Sequence, residues 1–453
     1  MSAIALVLLK KGYSISGSDL VPNSLTDRLA KAGAIIYPDH KADNIKDSVD
    51  LIIYSSCIHS DNPEIKVAKA RNIKTAPRGE ILAELMSQKD GIAVCGCHGK
   101  TTTSGMIATI LVKSGLDPTA LIGGEVNFLA SNARPGRGQY LVAEADESDG
   151  SFLALRPKYS VVTNIDEDHM EFFKDTKGLL KHFRQYILNI KSNGCFIYSS
   201  DDARLSELRR HCRTDNISFG FKDSAQVWAK DIVSSARILN SQKGPVFHTI
   251  FDCYNRSKKI GRFKISVPGI HNVSNALAAI CVGLKLGLTA DQIRLGLEAF
   301  TGTKRRFQVR GCFDGVTIVE DYAHHPREIM ATLKAAEGFR PKRLIGVFQP
   351  HRFTRTLYLA DRFSNCFKNS DYLVLTDVYS ASEKAIKGVT GRFLYDKVRG
   401  AGHKKVVYID KEKIADHLYE MKKPGDMILV LGAGDINAIA DELVERLKVK
   451  GER

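Results

Sequence analysis

Short continuous apolar runs alternate along this chain with longer stretches whose apolar residues recur at helical spacing. Such runs read as buried strands, and their alternation with helices predicts parallel sheets and an α/β fold. Three blocks emerge. The first, residues 1–89, carries a helix over Ala3–Lys11, strands over Tyr13–Ser16 and Leu51–Tyr54, and a helix over Asn62–Ala70. The second, 90–302, opens on the strand Gly91–Cys95 and a helix from Ser104 to Val112. Its further strands are Gln139–Ala143, Tyr159–Thr163 and Cys195–Tyr198, with a long helix after His271. From Val227 to Pro268 apolar and polar residues alternate, which predicts an antiparallel hairpin region. The third block, 303–453, shows strands at Thr317–Glu320, Arg343–Phe348, Tyr372–Thr376, Lys405–Ile409 and Met427–Leu431, separated by helices. No repeat or low-complexity segment interrupts them.

Composition narrows this picture only slightly. A length of 453 residues suits two to four domains, each able to bury its own core. No apolar stretch is long enough to span a membrane. Ala3–Leu9 is apolar, but Lys10-Lys11 follows it rather than preceding it, so no signal peptide is expected. The nine cysteines show no CxxC and no zinc-like spacing, which predicts reduced, mostly buried thiols and a cytoplasmic protein. Lys and Arg number 66 against 51 Asp and Glu, a net charge of +15. The basic residues are scattered in pairs (Arg209-Arg210, Lys258-Lys259, Arg305-Arg306, Lys404-Lys405) without interleaved stacking aromatics. A solvated basic surface that attracts anionic substrates accounts for them, and neither nucleic acid nor membrane is an expected partner.

The chemistry concentrates at strand ends. Gly96-Cys97-His98-Gly99-Lys100-Thr101-Thr102-Thr103 follows the strand Gly91–Cys95 and opens a helix, the context of a phosphate-binding loop. Gly96 and Gly99 allow the tight turn that aims backbone N–H groups at phosphate oxygens, and the helix N-terminus adds partial positive charge. Lys100 would reach the terminal phosphates of a nucleotide and the Thr101 hydroxyl would ligate Mg²⁺. The loop is shorter than the strict Walker form, with Val94 where that form has its first Gly. Two acidic stretches follow further strands: Glu144-Ala145-Asp146-Glu147-Ser148-Asp149 and Asn164-Ile165-Asp166-Glu167-Asp168-His169. Each alone reads as a solvated loop. In one block with a phosphate loop they suit metal binding, with Glu144 and Thr101 on one ion and His169 on a second, softer position, a merely hydrogen-bonded histidine being the plainer alternative. At the head of the long helix, Ser274 and Asn275 read as caps, or the amide of Asn272 or Asn275 reads the adenine edge.

The third block adds Glu320-Asp321-Tyr322-Ala323-His324-His325-Pro326, Gln349-Pro350-His351-Arg352-Phe353-Thr354-Arg355-Thr356 and Asp377-Val378-Tyr379-Ser380, each after a strand. Arg352 and Arg355 have the chemistry of a carboxylate or phosphate clamp; a surface helix start rich in Arg is the plainer alternative.

Together these segments resemble the Mur ligase family: GCHGKTTT (Gly96–Thr103), EADESD (Glu144–Asp149), TNIDEDHM (Thr163–Met170), GIHNVSNALAA (Gly269–Ala279), KRRFQ (Lys304–Gln308), DYAHHP (Asp321–Pro326), QPHRFTRT (Gln349–Thr356) and DVYSAS (Asp377–Ser382). They stand in the family's order over most of the chain. The resemblance implies three domains, a UDP-binding Rossmann-like one, a central P-loop ATPase and a C-terminal Rossmann-like one; because the candidate residues lie on separate domains, domain closure is expected. EADESD with DYAHHP and DVYSA points to the member that joins L-alanine to the lactyl carboxylate of UDP-N-acetylmuramate at the expense of ATP, with Mg²⁺, through an acyl phosphate. By the same resemblance Gly96, Cys97, His98, Gly99, Lys100, Thr101 and Thr102 hold the phosphates and His271, Asn272 and Asn275 surround adenine. Thr101, Glu144 and His169 hold metal, and Arg306 and Asp321 approach the phosphates or ribose. Tyr322, His324, His325, Arg352, Arg355 and Glu383 orient the amino acid and the acyl acceptor, and the protein acts as a monomer or weak homodimer.

Two departures stand out. Cys97 occupies a position where the family usually has Thr, and at a helix N-terminus its thiol is expected to have a lowered pKa and to be shielded from alkylation by nucleotide. Met1-Ser2-Ala3-Ile4-Ala5 matches the family's first helix, ahead of which the family has a strand and a Gly-rich turn that cradles the UDP pyrophosphate. A start upstream is the expectation, a defective fragment the alternative. Ser18, Asp19, Ser55 and Ser56 are the remaining uridine-site candidates. Competing functions are tripeptide recycling onto UDP-N-acetylmuramate, a non-catalytic nucleotide binder, and a nucleic-acid-stimulated ATPase.

Overall fold

The computed structural model of the chain describes residues 1–21, 23–237, 246–403 and 405–451. They form two compact units: Met1–Trp228 with Tyr254–Lys258 and Asn275–Phe300, and Ala229–Cys253 with Lys259–Ser274 and Thr301–Arg453. No helix among the described residues is long and apolar enough to cross a membrane.

The strands of the first unit are β1 (Ser16–Ser18), β2 (Ile35–Tyr37), β3 (Leu51–Tyr54), β4 (Lys74–Pro77), β5 (Asp90–Cys95), β6 (Thr119–Val126), β7 (Ser131–Arg134), β8 (Tyr140–Glu144), β9 (Tyr159–Val162), β10 (Cys195–Ser199) and β11 (Asp215–Gly220). The order β11-β10-β9-β5-β8-β6-β7 puts β5 in the interior, paired in parallel with β8 on one side and β9 on the other. A strand covered on both faces needs apolar residues throughout, and Ile92, Ala93, Val94 and Cys95 are all fully buried. One face packs on the helix Thr176–Leu188, where the Phe152 and Tyr186 rings stack at 5.0 Å. The helix Lys100–Lys113 is buried nearly all round, from Thr102 to Leu111, and contributes no amphipathic stripe. Its outer side is closed by the helix Ala290–Ala299, so near that a Cβ on Gly296 would lie 2.5 Å from the Ile110 Cα.

The first four strands are built differently. β1 pairs only with β2, and β3 only with β4, in two separate parallel pairs. The predicted strand at Tyr13–Ser16 begins instead at Ser16. Tyr13 closes the turn that follows the helix Ser2–Lys10, its N–H donating to the Leu8 carbonyl, and its side chain is exposed. Leu51–Tyr54 forms as predicted, and Asn62 caps the helix Pro63–Ala70 rather than belonging to it.

After β11 the chain forms β12 (Val227–Arg237), β13 (Val246–Asn255) and β14 (Lys258–Ile265). β12 pairs with β11 only at Phe219↔Val227 and Gly220↔Trp228. For most of their length these strands belong to the second unit, where the Ser234 and Thr249 hydroxyls meet at 2.9 Å. Residues 238–245 of the predicted hairpin region, and Lys404, lie outside the described residues.

The second unit continues with β15 (Gln308–Phe313), β16 (Val316–Asp321), β17 (Arg343–Phe348), β18 (Tyr372–Leu375), β19 (Val406–Tyr408) and β20 (Asp426–Leu431), in the order β15-β16-β20-β17-β18-β19. All neighbours are parallel except β15 and β16. Side chains leave the sheet alternately: Met427, Leu429 and Leu431 enter one core, Ile428 and Val430 the other. Helices cover both faces, the arrangement that opens a ligand site beyond the C-terminal strand ends.

Candidate active site

The chain turns sharply after β5, and two glycines permit it. Gly96 has φ +119° and Gly99 φ +85°, values other residues rarely adopt. Space forbids a side chain as well. A Cβ on Gly96 would lie 2.4 Å from the Thr163 hydroxyl, and one on Gly99 would lie 2.5 Å from the Asn275 Oδ1. The loop is fastened to the segment after β9. The Asn164 carbonyl accepts from Cys97 N–H, the Asn164 side chain accepts from His98 N–H, and its amide donates to the His98 carbonyl. His98 Nε2 lies 3.1 Å from Asp166 Oδ2.

Lys100 opens the helix and folds back over the loop. Its Nζ donates to the Gly96 carbonyl at 2.7 Å and to Glu147 Oε1 at 2.8 Å, with the Cys97 carbonyl at 3.4 Å. Burial alone would lower the lysine pKa, but the charge of Glu147, with Asp146 beside it, outweighs burial and holds the ammonium protonated. One residue on, the Thr101 hydroxyl donates to Glu144 Oε2 at 3.2 Å, while the other Glu144 oxygen accepts from Gly123 N–H at 2.6 Å. A hydroxyl beside a carboxylate is an oxygen pair of the kind hard divalent cations take. His169 adopts the left-handed backbone region at φ +55°, with ring nitrogens 3.6 Å from Asp168 and 3.5 Å from Glu171. Its ring acts electrostatically on Glu147.

Cys97 overturns one expectation. Its sulfur donates to the Asp166 carbonyl and accepts from Asp166 N–H at 3.0 Å. Burial first, then the neighbouring Glu147 charge, push the thiol pKa well up rather than down. The thiol is a structural rivet between the two loops. Thr102 is buried in the first turn of the helix. Asn275 is not a cap: the helix runs Ile270–Lys285, so Ser274 and Asn275 lie inside it. Asn275 instead covers Gly99. In the second unit Asn272 is buried and donates to the Pro268 carbonyl, while His271 is exposed.

At the strand ends of the second unit the rings of Tyr322, His324, His351 and Tyr379 follow one another, with successive centroids 5.4, 5.8 and 5.6 Å apart. The Arg355 guanidinium contacts His351 Nδ1 at 3.2 Å and is buried. Arg352, at φ +72°, lies 3.5 Å from Glu383, which also accepts from Thr354 N–H and its hydroxyl. Arg305 and Arg306 both lie against the Tyr322 ring, at 4.9 and 5.1 Å. His325 is fully buried and caps the helix Pro326–Glu337. Asp321 does not reach outward as the sequence suggested. Its two oxygens accept from Phe307 N–H and Ala323 N–H, each at 2.7 Å, and burial pushes its pKa up to about 6 against the pull of Arg306. It fixes the loop that presents Arg306.

In the first block, the Ser18 hydroxyl lies 2.8 Å from both Glu64 Oε2 and His40 Nδ1, Asp19 accepts from Val21 N–H, and Ser55 and Ser56 follow β3. The structure also supplies residues that the sequence did not single out. Glu147 and Asp166 sit inside acidic stretches whose crowding was visible, but nothing there says which carboxylate meets Lys100. Gln349 bonds Asp435 at 2.8 Å, and Arg305 donates to the Gly432 and Gly434 carbonyls after β20. The Gly432-Ala433-Gly434-Asp435 turn was the available signal. Two cavities, of about 360 and 450 Å³, lie elsewhere and contain none of these residues.

Comparison with known proteins agrees along the whole chain. Residues 1–90 match the Mur ligase family catalytic domain, 94–283 the Mur ligase middle domain, and 305–434 the Mur ligase glutamate ligase domain. The UDP-N-acetylmuramate–L-alanine ligase of Geotalea uraniireducens is 44% identical, over 99% of this chain and 96% of that protein. The protein of the same name from Pelotomaculum thermopropionicum is 42% identical over 99% and 95%. Among solved structures, the UDP-N-acetylmuramate-alanine ligase of Thermotoga maritima superposes with a TM-score of 0.81 at 28% identity, over 99% of this chain and 97% of that one.

Proposed function

The chain belongs to the Mur ligase family, and we propose that it joins L-alanine to the lactyl carboxylate of UDP-N-acetylmuramate at the expense of ATP, in peptidoglycan precursor synthesis. The observation that carries this reading is the Lys100 loop with its Thr101–Glu144 pair, set in a chain alike from end to end to ligases of that name. The loop suits a triphosphate because both glycine positions exclude a side chain and the helix behind is immobilised. Thr101, Glu144 and His169 are the proposed Mg²⁺ ligands. The ion supplies neutralisation of phosphate charge.

A carboxylate is a poor electrophile, and its phosphorylation creates an acyl phosphate with a good leaving group. The amine then attacks through a tetrahedral intermediate of concentrated negative charge. The chain's contribution is positioning and charge. Lys100 neutralises the transferring phosphoryl oxygens, with Gly96, Cys97, His98, Gly99 and Thr102 shaping the cradle. His271, Asn272 and Asn275 are the adenine contacts, and Arg306 addresses the phosphates or ribose from the loop Asp321 fixes. Tyr322, His324, His325, Arg352, Arg355 and Glu383 orient the amino acid and acyl acceptor, and Ser18, Asp19, Ser55 and Ser56 the uridine. On this reading the domains divide as 1–89, 90–302 and 303–453, and the reaction belongs to the cytoplasm, where nucleotide substrates are made. Phosphate release from ATP with Mg²⁺, UDP-N-acetylmuramate and L-alanine, omitting each in turn, tests it. Release that persists without L-alanine, or that only a tripeptide acceptor elicits, refutes it.

A further inference from the structure

An ammonium group has three hydrogens to donate. Lys100 spends all of them on its own protein: the Gly96 carbonyl, the Cys97 carbonyl and Glu147 Oε1. No hydrogen remains for a phosphate unless one of these bonds is released. Glu147 is 1% exposed, and its Oε2 has no hydrogen-bond partner among the described residues. Its charge is therefore balanced chiefly by the lysine. The carboxylate stands three residues beyond Glu144 and meets the ammonium at 2.8 Å. A nucleotide reaching Lys100 brings like charge towards Glu147 while competing for the same ammonium.

We propose that Glu147 is a positioning residue that holds Lys100 across the phosphate loop until nucleotide arrives and then yields it, so that tight binding is traded for a lysine centred where phosphoryl charge develops. This rests on the ligase reading above for its chemistry, but it concerns the nucleotide step alone. Charge, not shape, is the operative property. Replacing the carboxylate by its neutral isostere removes both the competitor for Lys100 and the repulsion toward phosphate, and it leaves the two carbonyl bonds in place.

The test uses the full chain and the non-hydrolysable nucleotide AMP-PNP with Mg²⁺, by calorimetry, alongside steady-state phosphate release. Glu147→Gln should bind AMP-PNP about tenfold more tightly, the order expected for removing one charge near a phosphate chain, while kcat falls about tenfold or more. Glu147→Asp keeps the charge but falls short of Lys100, and should tighten binding by a smaller factor. It carries the test if Glu147→Gln does not fold. A merely structural role would weaken binding in step with a lowered Tm in both variants. Binding that is unchanged or weaker in the folded variants overturns the proposal. A parent chain that binds no AMP-PNP overturns the ligase reading and this one together. A parent that binds AMP-PNP but ligates nothing overturns only the ligase reading.

Discussion

Lys100 in the first unit and Arg306 and Arg352 in the second are held in opposite ways. In the first, Lys100 is clamped by a carboxylate that is itself buried, and the lysine opens a helix with no exposed face at its core. In the second, Arg306 lies against Tyr322, and Arg306 and Arg352 face Glu328 and Glu383 at 3.8 and 3.5 Å, with the arginine side chains about one-third exposed, while the neighbouring Arg305 is held by the buried Glu320 at 2.9 Å. Of the adjacent buried carboxylates there, Asp321 is held by backbone amides and Glu320 by Arg305 and Arg310. A buried ion pair fixes a charge in one position because separating it strands a charge out of water. Looser, partly solvated pairs cost little to exchange. The first arrangement suits a phosphate chain that is the same in every turnover, the second suits acceptors that must enter and leave.

This contrast can be broken. The largest effect is expected at Lys100: Lys100→Met should lower kcat for phosphate release by about 10²- to 10³-fold, together with a lowered Tm, because Glu147 is left buried without its cation. An equal loss on replacing Arg352 would erase the distinction. Next comes Asp321, whose pKa is raised from 3.8 to about 6. A raised carboxyl pKa contributes stability that is complete below about pH 4 and is lost as pH rises through about 6, a change of about 3 kcal/mol. Urea unfolding should therefore show the parent losing stability across that window relative to Asp321→Asn, in which the slope is absent. Parallel profiles would mean that the backbone amides, not burial, set its charge. A smaller effect, about tenfold in KM for L-alanine or the UDP-sugar with kcat within a few-fold, is expected for Glu383→Gln, since the Thr354 bonds partly survive. The smallest is Ser18→Ala, about 1 kcal/mol of stability and a few-fold rise in KM for the UDP-sugar.

Much of this was legible in the sequence. β3 and β17 fall on the predicted residues because their apolar runs end at turn-forming or charged residues. The Gly96–Thr103 turn could be read as a candidate phosphate loop because its glycines, lysine and threonine are adjacent in the chain. β6, β7 and β15 were not readable. β6 carries Gly123-Gly124, β7 is Ser-Asn-Ala-Arg, and β15 holds Arg310 and Gly311 at a register shift. Such segments become strands only because a neighbour supplies a ladder. The partners of Lys100 were hidden for a related reason. Four acids in six residues look alike in one dimension, and only the fold selects Glu147 for the lysine and Glu144 for Thr101. The same limit explains Cys97, whose position at a helix start suggested a reactive thiol until Asp166 was found against it.

The all-round burial of the helix Lys100–Lys113 has a genetic consequence. Because Ile110 and Gly296 touch with no slack, a residue added or removed at that crossing shifts the helix along its axis and displaces the lysine at its far end, about 15 Å away. Selections for revertants of a variant crippled in the Gly96–Lys100 loop should therefore recover compensating changes in the helix Ala290–Ala299, on the side that packs against Ile110.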